Sequence, residues 1–172
     1  MTSRNYTVGM HLPDGLTVEI KQAKTLAQAG DFDAALDLAS KTIKAFPGAL
    51  EAWLTRAYVH ELNSSYAEAE ADLNQATLIG VLEPHVFYTR GRMRYSLERY
   101  KDAGMDFQEG LRLCDLHRND YYRSELHFWS GAVFLELGDK KSALEAFTRL
   151  PDDFSSFING PIEKKHMLAR CD

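Results

Sequence analysis

PHVFYTRGRMRYSLERYKDAGMDFQEGL, residues 84–111, reads as two amphipathic helices joined by a tight turn near Glu98 and Arg99. Phe87, Gly91, Tyr100, Ala103 and Phe107 are its packing residues. The same pattern stands 34 residues earlier, as Trp53, Ala57, Tyr66, Ala69 and Leu73. It stands 34 residues earlier again, as Glu19, Ala23, Phe32, Ala35 and Ala39, and returns 40 residues later, as His127, Gly131, Lys140, Ala143 and Phe147.

A period of about 34 residues with a helix–turn–helix in each unit resembles the tetratricopeptide repeat, over residues 16–150. The resemblance implies an all-α fold: a right-handed superhelical array of four helix hairpins closed by a C-terminal capping helix. The expected organisation is an N-terminal arm (1–15), repeats at 16–48, 50–80, 84–115 and 124–150, and a loop with the capping helix at 151–172. In such an array each repeat packs only on its neighbours, and an uncapped last repeat exposes its apolar face.

The chain has 172 residues, 45% of them apolar, enough for a substantial core. Its formal net charge of −5 argues against nucleic acid as a partner, because phosphate contacts need a basic field. The charge is uneven. Residues 51–83 carry six acids and one base, whereas residues 84–101 carry Arg90, Arg92, Arg94, Arg99 and Lys101 against Glu98 alone. Cys114 and Cys171 are the only cysteines, too few for a disulfide framework. The N-terminus, MTSRNYTVGMHLPDG, has no apolar run of signal-peptide length, and no stretch approaches a membrane span. A cytoplasmic protein without membrane insertion is expected.

Pro13-Asp14-Gly15 is a turn signal ahead of the first helical pattern. Glu19 occupies a place where the family usually has a large aromatic, which suits a first repeat with no neighbour before it. Pro47-Gly48 ends the first repeat, and Pro84 opens the third. Gly104 and Gly110 fall inside a helix pattern; close packing accounts for Gly110, and the sequence offers no account of Gly104. Six additional residues, 116–121, either lengthen the preceding helix or form a longer loop. Residues 152–160 read as a loop whose aromatics tuck against the fourth repeat. Pro161 then starts a short helix with Ile162, His166, Met167 and Ala169 inward and Glu163, Lys164, Lys165 and Arg170 outward.

Two constellations stand out. Arg56 and Asp72 recur as Arg90 and Asp106, each pair sixteen residues apart; the sequence resembles repeat variants with an ion pair inside the hairpin. The second constellation is the inner wall that the family geometry implies. It is contributed by Ile20 and Lys24, by Leu54, Tyr58 and Glu61, by His85, Tyr88, Arg92 and Tyr95, and by Glu125, Phe128, Ala132 and Leu135. Tyrosines and an arginine on one wall have the composition of interaction hot spots. The expected partner-binding residues are Leu54, Tyr58, Glu61, His85, Tyr88, Arg92, Tyr95 and Phe128. The lysine–asparagine clamp by which some family members hold a chaperone's C-terminal carboxylate is matched here by Lys24 alone, since Ile20, Thr55, His85 and Thr89 stand at the other places.

Enzyme signals are weak. His11, His60, His85, His117, His127 and His166 are scattered, with no His-Glu-x-x-His, Cys-x-x-Cys or glycine-rich phosphate loop. No metal or cofactor is expected. The expected function is a non-enzymatic protein-interaction module (adaptor, chaperone or assembly factor) holding a partner peptide or helix in its concave groove. The alternative is a dedicated inhibitor or immunity protein that occludes a basic toxin or enzyme through its acidic residues. A monomer is expected if the C-terminal helix caps the array.

Overall fold

The computed structural model describes residues 14–79, 83–157 and 161–171. Its helix hairpins follow one another in sequence order and fall into two compact units, one holding the described residues up to 79 and the other those from 83 onward. In the first unit α1 (Asp14–Gln28) pairs with α2 (Phe32–Ala45), and α3 (Leu50–Leu62) pairs with α4 (Tyr66–Leu78); α3 packs on both α1 and α2. In the second, α5 (Pro84–Ser96) pairs with α6 (Tyr100–His117), and α7 (Arg123–Glu136) pairs with α8 (Lys140–Thr148); α7 rests on α6 and α5. The first helix begins at Asp14, so Asp14 and Gly15 belong to its opening turn rather than to a preceding bend. Of the arm expected over residues 1–15, residues 1–13 lie outside the described residues.

All four hairpins turn by the same device. Gly30, Ser64, Glu98 and Gly138 share one register, and all have positive φ, at 83°, 56°, 59° and 79°. Each donates its N–H three residues back, to Ala27, Glu61, Tyr95 and Leu135, and the next residue donates five back, to Leu26, His60, Arg94 and Phe134. This left-handed closure satisfies carbonyls that the helix end leaves open. The inserted residues are resolved by the same motif. The α6 helix continues through His117, and Arg118 ends it at φ 52°, with Asn119 N–H donating 3.0 Å to Cys114 O. The Asn119 side chain then accepts from Tyr121 N–H, turning the chain into α7.

The hairpins are held by small residues facing large ones. A Cβ on Gly91 would lie 2.3 Å from the Phe107 ring, and one on Gly131 would lie 2.5 Å from the Phe147 ring. The equivalent positions in the second repeat are Ala57 and Leu73, both fully buried. Where the second helix carries phenylalanine, the first carries glycine; where it carries leucine, alanine fits. Gly110 is likewise pressed by Leu126, at 2.7 Å. In the first repeat the polar Glu19 is put to use: its carboxylate accepts from Thr42 Oγ1 at 2.9 Å.

Between Arg56 and Asp72 run two hydrogen bonds, 2.9 Å from Nε and 2.7 Å from Nη2; Arg90 and Asp106 repeat them at 3.0 and 2.7 Å. Both aspartates are buried, and Arg94 adds a second cation to Asp106 at 2.9 Å. Each paired arginine also lies over the aromatic ring one turn before it, Trp53 or Phe87. Removing one partner of such a pair leaves a buried charge uncompensated, so the pair fixes hairpin geometry more than it adds net stability.

The C-terminal segment differs from expectation. Residues Ser155–Phe157 (β1) pair antiparallel with Pro161–Glu163 (β2), so Pro161 sits in a strand and the last helix, α9, runs only from Lys164 to Leu168. Phe154 does tuck in, 5.7 Å from the Phe128 ring. Residues 158–160 and the Phe157 side chain lie outside the described residues. Met167 is buried in the core of the second unit, with Ile162 and Leu168 against it, whereas His166 and Ala169 are exposed. Lys164, expected outward, is buried: its ammonium donates to Leu150 O at 2.8 Å and to Asp152 at 2.9 Å. These two acceptors tie the start of α9 to the end of α8 and compensate the burial of the charge.

The packing rule makes a reciprocal prediction. Gly91→Ala should destabilise the chain by about 1–3 kcal/mol through overpacking against Phe107. Adding Phe107→Leu, which recreates the Ala57–Leu73 arrangement, should recover part of that loss relative to Phe107→Leu alone. Urea unfolding of the two single variants and the double variant measures the coupling, and strict additivity would contradict the rule.

Candidate functional site

The expected wall residues fall in both units and are taken unit by unit. On α3, Leu54, Tyr58 and Glu61 are half-buried. Tyr58 packs against the cluster of Ala27, Ala35 and Val59, and its hydroxyl accepts from Gln28 Nε2 at 3.2 Å. The stem of Tyr58 therefore serves the first hairpin, and its hydroxyl already has one partner.

In the second unit the helical period brings His85, Tyr88, Arg92 and Tyr95 onto one side of α5, where they meet α7. The Arg92 guanidinium lies 5.5 Å from the Tyr88 ring centroid and 5.5 Å from that of Trp129, within the range of attraction between a cation and a ring face. Tyr122, at the start of α7, extends the surface. It is 5.3 Å from Tyr88 and 6.0 Å from His85, and it carries Tyr121, 82% exposed, on its edge. At the other end Tyr95 meets Trp129 and Tyr100 edge-on, at 5.1 and 5.2 Å. The Tyr95 hydroxyl donates to Glu136 Oε1 at 3.2 Å, and Arg170 donates to the same oxygen at 3.0 Å. Burial, reinforced by the Glu136 charge, holds the Tyr95 phenol well above its ordinary pKa. Tyr95 thus links α5, α7 and the C-terminal turn.

Phe128 requires a correction. It is fully buried, against Phe147, Trp129 and Phe154, and belongs to the core of the second unit rather than to a surface that a partner could touch. Glu125, one turn before it, accepts from Ser156 Oγ at 2.9 Å, so the β-ribbon covers this stretch of α7. Trp129 and Tyr122 are the residues the sequence reading missed. Trp129 was hidden because it directly follows a phenylalanine that fits the expected inward register. Tyr122 was hidden because it lies in the inserted segment, which has no counterpart in the other repeats. The Trp129 indole N–H is buried without a hydrogen-bond partner among the described residues.

Cys114 is buried, and burial raises its thiol pKa, the opposite of an activated nucleophile. Among the described residues no group of three or more His, Cys, Asp or Glu side chains is placed to hold a metal ion, and no helix is long and apolar enough to cross a membrane. Burial pushes His60 and His127 below the ordinary histidine pKa. Asp72, 3.8 Å from His60, opposes that shift without overcoming it.

Residues 20–80 match the family model of the tetratricopeptide repeat. No curated protein matches the sequence. Among solved structures the chain is similar to MamA, at 20% identity over 80% of this chain and 72% of that one, with a TM-score of 0.69. It is similar to YrrB, described as a TPR protein with an unusual peptide-binding site, at 24% identity over 76% of this chain and 64% of that one, with a TM-score of 0.63. It is also similar to the TPR-like repeats of a kinesin light chain from Podospora anserina, at 16% identity over 94% and 87%, with a TM-score of 0.73. The chain spans slightly under two thirds of YrrB. Residues 20–80 match the tetratricopeptide family, and the helix hairpins from Asp14 to Thr148 share the fold of these solved structures.

The histidines predict an acid-sensitive fold. Because the folded-state pKa values of His60 and His127 are lowered, the unfolded chain binds protons first as pH falls through the ordinary histidine value of about 6.5. Stability should therefore be present above that value and decline as pH falls from about 7 through it. His60→Gln with His127→Gln should flatten the decline, as read from urea midpoints across that range; an unchanged slope would contradict the assignment.

Proposed function

We propose that the chain is a non-enzymatic protein-interaction module whose second unit holds a peptide segment of another protein along the α5–α7 wall. The carrying observation is Arg92 beside the rings of Tyr88 and Trp129, flanked by Tyr122 and the exposed Tyr121. A guanidinium whose plane is positioned by aromatic faces loses less freedom on binding, and aromatic and arginine side chains carry most of the energy in protein interfaces. Tyrosine adds contact area with a polar tip and only two rotatable torsions. YrrB, a protein of similar fold described as having a peptide-binding site, supports the reading by analogy.

The expected ligand is a segment with a carboxylate or backbone carbonyls for Arg92 and an apolar or aromatic side chain to lie against Tyr121 and Tyr122. Of the other expected residues, His85 is proposed to take part from α5. Phe128 acts only by supporting the wall from below. In this reading Tyr95 is a positioning residue.

The test uses affinity capture from the source cell's lysate, read by mass spectrometry. Tyr88→Ala with Arg92→Ala, shown by circular dichroism to remain helical, should lose a partner that the unaltered chain retains. Tyr95→Phe, which removes only the hydroxyl bonded to Glu136, should retain it with a lower melting temperature. A partner retained equally by all three proteins would place binding elsewhere.

A further inference from the structure

The second unit has another concavity, formed by α6, α7 and α8 on a different side of α7 from the wall. Its volume is about 510 Å3, within the range of built ligand sites. Phe134, which lines it, lies five residues beyond Trp129, roughly 140° around the helix at 3.6 residues per turn.

Gly104 gives the groove its meaning. Glycine weakens a helix interior, so one that persists there needs a reason. For Gly91, Gly110 and Gly131 the reason is contact: an added Cβ would strike a neighbouring side chain at 2.3–2.7 Å. For Gly104 it is not, since the nearest atom to an added Cβ is Val133 Cγ1 at 3.4 Å, an ordinary separation. The same register holds Leu36, Glu70 and Leu144 in the other repeats. Packing does not require the missing side chain; its effect is to leave the floor of the groove open above α7. Met105 and Leu137, 59% and 47% exposed, line the same groove. They present apolar surface that nothing in the described chain covers.

The ends of the groove are charged. Lys101 stands beside Leu137 at one end, and Arg149 stands near His127 at the other. Leu137 and His127 are ten residues apart on α7, which sets the two ends about 15 Å apart at 1.5 Å per residue. Neither cation has an ion-pair partner among the described residues, whereas Arg99, Arg112, Arg123 and Arg170 of the same unit are all paired. Glu145 is the sole acidic side chain lining the groove itself; at the Lys101 end Glu98 and Asp102 also stand nearby, Asp102 being paired with Arg99.

We infer that this groove is a second docking site, and that it takes an extended segment of another protein in which four or five apolar residues are flanked at each end by an acidic residue. At about 3.3 Å per residue such a run spans the distance between the two cations. Its side chains cover Met105 and Leu137 and enter the space above Gly104, and its carboxylates meet Lys101 and Arg149. The site touches the wall only through Tyr100, which packs on Tyr95, and does not include Arg92, Tyr88 or Trp129, so one chain holds two segments at once.

The experiment displays two peptide libraries to the full chain: four residues drawn from Leu, Ile, Phe and Met, flanked by Asp in one library and by Lys in the other. Binders should be enriched from the Asp-flanked library alone. A synthetic fluorescein-labelled peptide of the most enriched sequence should lose at least ten-fold in affinity with Gly104→Leu, which places in the groove the side chain found at position 36. It should lose a similar factor with Arg149→Glu, and bind normally to the Tyr88→Ala, Arg92→Ala chain. If Gly104→Leu does not fold, Arg149→Glu and Lys101→Glu carry the test, since they alter exposed rim charges only. Equal enrichment from both libraries, no enrichment from either, or affinity unmoved by the rim variants would overturn the inference. Loss of affinity in the Tyr88→Ala, Arg92→Ala chain with the rim variants unaffected would assign the peptide to the wall instead.

Discussion

The close approach of two helices within each hairpin is the constraint on which the remaining structure depends. Helices this near leave room for one large side chain per crossing, not two. Phe107 and Phe147 each claim that room, so Gly91 and Gly131 carry no side chain opposite them; Leu73 claims less, and Ala57 suffices. Once the crossing is set, the register of the turn follows. Four left-handed residues at one position of the repeat close every first helix with the same pair of backbone hydrogen bonds. Two of the four are serine and glutamate, which take up a conformation that glycine tolerates better. The hairpin geometry is therefore strong enough to impose a backbone state against local preference.

Buried charge follows from the same geometry. With the crossing fixed, the side chain at position 56 or 90 reaches the one sixteen residues later, and an arginine–aspartate pair satisfies both groups away from water. The second unit adds Arg94 to Asp106, whereas the first has His60 near Asp72. That exchange of arginine for a half-buried histidine gives the first unit a titratable group at a place where the second has a permanent cation. One scaffold thus supports different electrostatics in successive repeats without altering its backbone.

The α7 helix serves three surfaces. One side, through Trp129, backs the aromatic wall on α5; a second, through Phe128, is sealed by Phe147 and Phe154; a third, through Val133 and Phe134, floors the groove between α6 and α8. A helix engaged on all sides shows little amphipathic contrast, which agrees with the run of buried residues from Leu126 to Val133, broken only at His127. The C-terminal ribbon and α9 complete this unit, with buried Lys164 joined to Leu150 and Asp152.

Helix positions, hairpin pairing, the small–large columns and both arginine–aspartate pairs were legible in the sequence alone. They recur at a fixed period, and a side chain repeated at the same place in successive hairpins meets the same neighbour each time. The wall was legible only in part. His85, Tyr88 and Arg92 lie where the period puts them, but Phe128 proved to be core, because the segment after the last repeat folds over it and has no periodic counterpart. For the same reason the strands around Ser156 and Ile162, the burial of Lys164 and the role of Tyr122 could not be read from spacing. Gly104 shows the division most simply. Its oddness in a helix is visible in the sequence, but only the tertiary structure, by placing Val133 at an ordinary distance beneath it, decides that the glycine leaves a space rather than relieving a clash.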